Sequence, residues 1–66
     1  MKTFVITTTS ESSDHYVYVV RSKSKPSNSK IEKFLEKHGS DIDEDGTVYE
    51  HVDGVHEIDE KDIVEI

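Results

Sequence analysis

The sequence predicts an α+β domain: an antiparallel sheet of four or five strands with one amphipathic helix packed on a face, in the order β-β-α-β-β. Three observations predict this fold. Two β-branched and aromatic runs open the chain, an amphipathic helical segment follows them, and further strand-like segments come after residue 46. With 66 residues and no Cys, residues 1–66 form one small domain without a disulfide to supplement its core.

The first two strands are predicted to form an antiparallel hairpin. Residues 2–9 are β-branched or aromatic almost throughout. In residues 15–20, His15 is followed by alternating tyrosine and valine and a final valine. The polar segment 10–14 between them has the length of a hairpin loop. A hairpin is the shortest connection between two such strands, so we expect them to be neighbours in the sheet.

A helix is predicted to begin near Ser29 and to end at Gly39. Ser29 and Glu32 have the S-x-x-E spacing of a capping box, and Gly39 occupies the position where a left-handed residue often ends a helix. Apolar or aromatic residues recur between them at the spacing of one helical face. This stripe consists of Ile31, Phe34, Leu35 and His38.

Three further strands are predicted in the C-terminal half, over residues 47–52, 55–58 and 63–66. Asp53-Gly54 is a strong signal for a two-residue hairpin turn, because both residues of a type I′ turn have positive φ. Such a turn places His51 opposite His56, and Glu50 opposite Glu57. Two opposed histidines can contribute to a zinc site, but further ligands are needed to complete it.

Charge is divided sharply between the two parts of the chain. Residues 1–38 carry seven Lys/Arg and four Asp/Glu, whereas residues 39–66 carry one Lys and eleven Asp/Glu. This asymmetry predicts that the acidic C-terminal half meets something cationic, which is a metal ion, a basic protein surface or the chain's own basic half. Our first hypothesis is that it docks on a basic protein surface, such as that of a nucleic-acid-binding protein. The predicted partner-binding residues are Asp41, Asp43, Glu44, Asp45, Glu50, Glu57, Asp59 and Asp62.

Calcium binding is the alternative hypothesis. Asp41, Asp43 and Asp45, followed by Gly46, match the D-x-D-x-D-G opening of the calcium loop of the EF-hand, in which alternate carboxylates converge on the ion. The glutamate expected at the twelfth position is Val52 in this chain. A solvated acidic turn between helix and strand explains the same residues and stays open beside the calcium hypothesis.

Other function classes are less compatible with the sequence. No nucleophile–histidine motif or glycine-rich phosphate loop is present, and a chain of this size leaves little room for a pocket of about 300–1,000 Å³, so we predict no enzyme activity. The net charge of −7 opposes direct binding of nucleic acid. No apolar run has the length of a signal peptide or membrane span, so we predict a soluble cytoplasmic protein. A homodimer formed through an open edge, either the first or the last strand, is a third hypothesis.

The chain also resembles small ββαββ accessory proteins of bacteriophages and bacteria, most of which have no known function. The similarity lies in Met1-Lys2-Thr3-Phe4-Val5-Ile6, the Ser/Asp loop, residues 16–20 and residues 31–38. This resemblance implies a ββαββ fold. It also implies a compact acidic inhibitor or adaptor that binds and blocks a host protein, including defence nucleases. The family pattern assigns no functional residues in this chain.

Overall fold

The computed structural model describes residues 1–65, which contain three strands and one α-helix. A short 3₁₀-helix lies near the end of the described chain. The elements in chain order are β1 (Lys2–Ser10), β2 (His15–Ser22), α1 (Asn28–His38), β3 (Glu50–Ile58) and the 3₁₀-helix (Glu60–Asp62).

The three strands form one antiparallel sheet in the order β2-β1-β3. The predicted N-terminal hairpin is confirmed, because β1 and β2 pair without a register shift from Lys2 opposite Ser22 to Thr9 opposite His15. Strand β3 pairs with the other side of β1. The first strand is therefore the central strand, so the hypothesis that it offers an open edge is wrong.

The predicted four or five strands are corrected to three, in the order β-β-α-β. The two strands predicted on either side of Asp53-Gly54 are one continuous strand, Glu50–Ile58. It pairs with β1 along the whole length from Thr3 to Ser10. Pairing along the whole strand satisfies more backbone hydrogen-bonding groups on β1 than a tight turn at Asp53-Gly54 would. Pairing with β1 therefore overrides the local preference of this dipeptide for a turn.

Asp53 is the extra residue of a β-bulge rather than part of a turn. The register shifts between Thr7 and Thr8, which lie opposite Gly54 and Val52 respectively, and leaves Asp53 without a partner on β1. Because directly opposed residues share a face, the bulge places both Val52 and the later residue Val55 on the side of the sheet that α1 covers.

Neither the first residues of the predicted strand 47–52 nor residues 63–65 of the last predicted strand, 63–66, belong to a strand. Residues 47–49 lie before β3 and join it to the preceding loop, where Val48 forms an isolated bridge with Ile42. Residues 63–65 have no regular secondary structure, and Ile66 lies outside the described residues.

Helix α1 begins two residues earlier than the capping box predicted. Its N-cap is Ser27, whose hydroxyl accepts a hydrogen bond from the backbone N–H of Lys30 at 3.3 Å. Ser29 and Glu32 lie inside the helix, so the side chain of Glu32 is not needed at its N-terminus.

Gly39 follows the helix for a steric reason rather than a conformational one. Its φ of −60° and ψ of 151° are extended, not left-handed. A Cβ at this position would lie 2.5 Å from the carbonyl oxygen of Leu35 and 2.8 Å from Oε2 of Glu50. Glycine is required here because the chain passes close to both the helix end and a buried carboxylate.

The core lies between α1 and one face of the sheet. Ile6, Ile31 and Leu35 form its buried centre, and partly buried side chains surround them. The surrounding side chains are Tyr18, Val20, Phe34, Val48 and Val55. The opposite face of the sheet has no covering element in residues 1–65, and there Val17 and Val19 are 65% and 68% exposed. Within the same residues, no helix is long and apolar enough to cross a membrane.

Candidate interaction surface

The acidic segment after α1 folds as a small hairpin. The backbone N–H of Asp43 donates to the carbonyl of Thr47 at 2.9 Å, and that of Gly46 donates to the carbonyl of Asp43 at 3.0 Å. Gly46 has a φ of 87°. This is the pattern of a type I turn followed by a left-handed bulge residue, so the sequence Asp-Glu-Asp-Gly makes a turn. We call residues 42–48 the acidic hairpin.

Two of the predicted calcium ligands take part in closing this hairpin. Oδ2 of Asp43 accepts from the hydroxyl of Tyr49 at 2.6 Å, and this hydrogen bond raises the pKa of Tyr49 to about 12. Oδ1 of Asp45 accepts from the backbone N–H of Thr47 at 3.0 Å, and hydrogen bonds from Thr47 lower the pKa of Asp45. Across residues 1–65, no group of three or more His, Asp or Glu is arranged to hold a metal ion.

Glu50 lies inside the protein rather than on its surface. It is 6% exposed, and its carboxylate accepts hydrogen bonds from the Thr8 hydroxyl at 3.2 Å and the Ser40 backbone N–H at 3.1 Å. The Tyr18 hydroxyl donates to the same carboxylate. Burial, and then the hydrogen bond to Glu50, raise the pKa of Tyr18. This buried carboxylate joins β1, β2 and β3 to the segment that follows α1.

A groove of about 580 Å³ lies where α1, the acidic hairpin and the start of β3 meet. This volume is within the usual range for binding pockets. It is larger than we expected for so short a chain. The apolar part of its lining consists of Ile31, Leu35, Val48 and Val52. Its carboxylates are those of Glu32, Glu36 and Glu50. Of the described residues that line it, none is Lys or Arg. We call this feature the acidic groove.

Glu32 and Glu36 were not among the predicted site residues. They lie one helical turn apart on α1, and each directly follows a buried residue of the apolar stripe, Ile31 or Leu35. Acidic residues spaced by four beside an apolar stripe lie at the border of the buried face. That spacing is the sequence signal that could have identified this wall of the groove.

The predicted partner-binding residues lie on several elements. Strand β3, nine residues and about 26 Å long at about 3.3 Å per residue, lies in the chain between those in and near the acidic hairpin and those in the 3₁₀ segment. The first group is Asp41, Asp43, Glu44 and Asp45, and the second is Asp59 and Asp62. Glu57 lies on β3 between them and pairs with Lys2 at 3.7 Å.

The charge asymmetry of the sequence is kept in the folded chain. Residues 1–65 contain two ion pairs, and one of them, between Lys61 and Asp59, is local. The other joins Lys2 to Glu57. Strand β3 and its acidic flanks lie at one edge of the sheet, whereas the basic segment 21–25 begins in the last residues of β2, at the other edge. The charges of residues 1–38 and those of residues 39–65 therefore form few ion pairs with each other.

The opposed pairs predicted from an Asp53-Gly54 hairpin are not formed. Because β3 is continuous, His51 and His56 lie on one strand, opposite Thr9 and Val5 of β1 respectively. Glu50 and Glu57 are likewise opposite Ser10 and Phe4. The sequence argument for a paired-histidine zinc site therefore loses its geometric basis.

No family model, no curated protein and no solved structure matches this chain. The resemblance to ββαββ accessory proteins therefore stays a prediction. The observed β-β-α-β order lacks a strand of that pattern in residues 1–65. What the protein binds has to be inferred from the acidic groove and the charges around it.

Proposed function

We propose that this protein is a non-enzymatic interaction protein, an inhibitor or adaptor, and that it binds a basic segment of another protein in the acidic groove. One observation carries the proposal. Among the described residues, three glutamates and no Lys or Arg line the groove, together with the aliphatic side chains of Ile31, Leu35, Val48 and Val52. This combination favours a ligand that is both cationic and apolar, as opposed to a free metal ion or a nucleic acid.

Lysine and arginine side chains have this chemistry. Their methylene stems pack on apolar surface while the charged group stays at the rim. In the groove, a stem would lie against Val52, which is 41% exposed, and the cationic group would meet the carboxylates of Glu32 and Glu36. The guanidinium of arginine is favoured over the ammonium of lysine, because a guanidinium makes two parallel hydrogen bonds to one carboxylate.

Glu50 has a different role in the proposed site. Its oxygens already accept hydrogen bonds from Thr8, Tyr18 and Ser40, so it fixes the position of the groove wall and adds negative charge. The exposed carboxylates of the acidic hairpin and of the 3₁₀ segment lie outside the groove. They contribute long-range attraction, which raises the rate of association with a basic partner.

A nucleic-acid-binding protein is the partner class that fits this chemistry, since it offers basic and partly apolar segments on one surface. The absence of Cys agrees with a reducing compartment, and we place the interaction in the cytoplasm. The proposal requires no cofactor.

The proposal is tested with a synthetic amphipathic peptide of lysine, arginine and leucine, titrated into the isotope-labelled protein and followed by NMR. We expect the largest shift changes at the groove residues Leu35, Val48 and Val52. In the variant Glu32→Lys/Glu36→Lys, we expect the dissociation constant to rise by about tenfold or more, equivalent to about 1.4 kcal/mol.

The matched control is Glu60→Lys/Asp62→Lys, which changes the net charge by the same amount at exposed positions outside the groove. Its effect should be smaller and should largely disappear at physiological salt, where exposed charges are screened beyond about 8 Å. Equal weakening by both variants would show that binding follows net charge alone. That result, or no binding by the unmodified protein, contradicts the proposal.

A further inference from the structure

The two edges of the sheet differ in how they are protected against pairing with another strand. Strand β3 has a bulge at Asp53 and acidic residues along and beyond it, both of which discourage strand addition. Strand β2 pairs with β1 in an uninterrupted register. Between Tyr16 and Val20 it has no charge, proline or bulge, so its outer edge is open to another strand.

The exposed side chains of β2 are apolar as well. Val17 and Val19 lie on the uncovered face of the sheet and are 65% and 68% exposed. Thr7 and Val5 of β1 lie opposite them on that face and are partly buried. Extending the sheet beyond β2 with a strand that carries valines at matching positions would cover part of this apolar surface.

Charge along β2 makes that edge complementary to a second copy of itself. Exposed Glu11 and Asp14 precede the strand, and exposed Arg21 and Lys23 lie at and beyond its far end. The ion pairs found in residues 1–65 involve none of these four. When two copies of β2 run antiparallel, the acidic end of each lies beside the basic end of the other.

We infer that this protein forms a two-fold symmetric homodimer in which β2 pairs antiparallel with β2 of a second copy. The two three-stranded sheets then join into one sheet of six strands. Side chains of directly opposed residues lie on the same face of the sheet. The register that best places apolar side chains opposite apolar side chains has Val17 opposite Val19 of the second copy. The two-fold axis then passes near Tyr18.

This inference does not depend on the proposed function. The acidic groove lies between α1 and β3, and β1 separates β3 from the dimerising edge. The dimer therefore leaves both grooves open and presents two binding sites together. A partner with two basic segments would gain affinity from this arrangement.

Analytical ultracentrifugation of the unmodified protein over a range of micromolar concentrations tests the dimer. We expect a concentration-dependent dimer mass. In the variant Val17→Lys/Val19→Lys the two lysines of each copy face those of the other, so we expect the dimer dissociation constant to rise by at least about tenfold. Both positions are exposed, so the fold should be retained, and circular dichroism checks that it is.

The control variant is Ile63→Lys/Val64→Lys. It also replaces two exposed aliphatic residues, 66% and 80% exposed, with lysine, but it does so far along the chain from β2. We expect this variant to remain dimeric. A monomer mass for the unmodified protein at high micromolar concentration, or equal behaviour of the two variants, overturns the inference.

Amide hydrogen exchange distinguishes pairing of edges from stacking of the two open faces. Edge pairing adds backbone hydrogen bonds to the N–H groups that point away from β1. These alternate amides of residues 16–20 should therefore exchange more slowly at concentrations that favour the dimer. Stacking of faces leaves the edge amides without new partners. A dimer whose β2 amides exchange at the same rate as those of the monomer contradicts the inferred interface.

Discussion

The carboxyl group of Glu50 is buried, and its contacts explain how the fold accommodates it. Burying a carboxylate is costly unless hydrogen bonds compensate for the lost water. Thr8, Tyr18 and the Ser40 N–H supply these bonds, and they come from three separate parts of the chain. Gly39 allows the close approach, because any larger residue would collide with this carboxylate and the helix end.

The first prediction concerns this network. Replacing Glu50 with Gln keeps the side-chain shape but turns one acceptor into a donor that faces other donors. We expect the free energy of unfolding to fall by about 1–3 kcal/mol, measured by urea denaturation. The pKa of Tyr18 should also fall, because the carboxylate contributes to raising it, while burial keeps it above its ordinary value.

The control for that prediction is Glu57→Gln, which changes the same side chain at an exposed position on β3. Its effect on stability should be within about 0.5 kcal/mol. Unchanged stability of the Glu50→Gln variant would mean that the buried network does not hold the strands to the helix end.

At the scale of elements, the Asp53-Gly54 pair shows how one sequence signal can have two structural outcomes. The same dipeptide that favours a hairpin turn forms a bulge when a long partner strand is available. In this chain the bulge lets both Val52 and Val55 face the helix, which strict alternation forbids for residues three apart. The bulge therefore sets which side chains complete the core and the acidic groove.

Deleting Asp53 tests this role of the bulge. Without the extra residue, either Val52 or Val55 has to turn to the open face together with its neighbours. We expect a loss of about 2 kcal/mol or more in the free energy of unfolding, as for exposing one aliphatic side chain, measured by thermal and urea denaturation. That is a large part of the stability a core of this size supplies.

A substitution that preserves the residue count serves as the comparison. Asp53→Ser keeps the bulge and removes the Asp53 carboxylate that accepts from the Thr9 hydroxyl. Its cost should be about 1 kcal/mol or less. If the deletion is no more destabilising than this substitution, the bulge does not determine how β3 faces the core.

At the scale of the whole molecule, the structure separates charge instead of neutralising it. The acidic residues are spread along one edge of the sheet and around its ends, and the basic segment 21–25 is at the other edge. Within residues 1–65, four hydrophobic residues are buried, namely Phe4, Ile6, Ile31 and Leu35. So small a core explains why both a partner in the groove and a second copy at β2 would add substantially to stability.

Thermal unfolding with calcium, magnesium or a chelator tests the calcium hypothesis on the whole protein. Because Asp43 and Asp45 already accept hydrogen bonds in the acidic hairpin, we expect the two ions to shift the melting temperature equally and slightly. A specific site at a hundredfold excess of calcium over its dissociation constant would stabilise the fold by about 2.7 kcal/mol. A calcium-specific rise that Asp41→Ala and Asp45→Ala abolish would favour calcium binding over our expectation.

Features that depend on neighbouring residues were predictable without a structure. Residues 2–9 and 15–20 identified a hairpin because alternation and loop length are local properties. The stripe of Ile31, Phe34, Leu35 and His38 identified the buried face of α1 for the same reason, although His38 itself is exposed. The strong division of charge between residues 1–38 and 39–66 was likewise visible without a structure.

Tertiary structure alone decided the features that depend on distant pairing. β1 became central because β3 returned to its free side, and this pairing converted the Asp53-Gly54 signal from a turn into a bulge. The pairing of β3 with β1 also buries Glu50, which the division of charge had led us to predict as a surface residue that binds a partner. The acidic groove arose only when Glu32 and Glu36 on α1 were placed across from the acidic hairpin, and no local pattern specifies such a long-range approach.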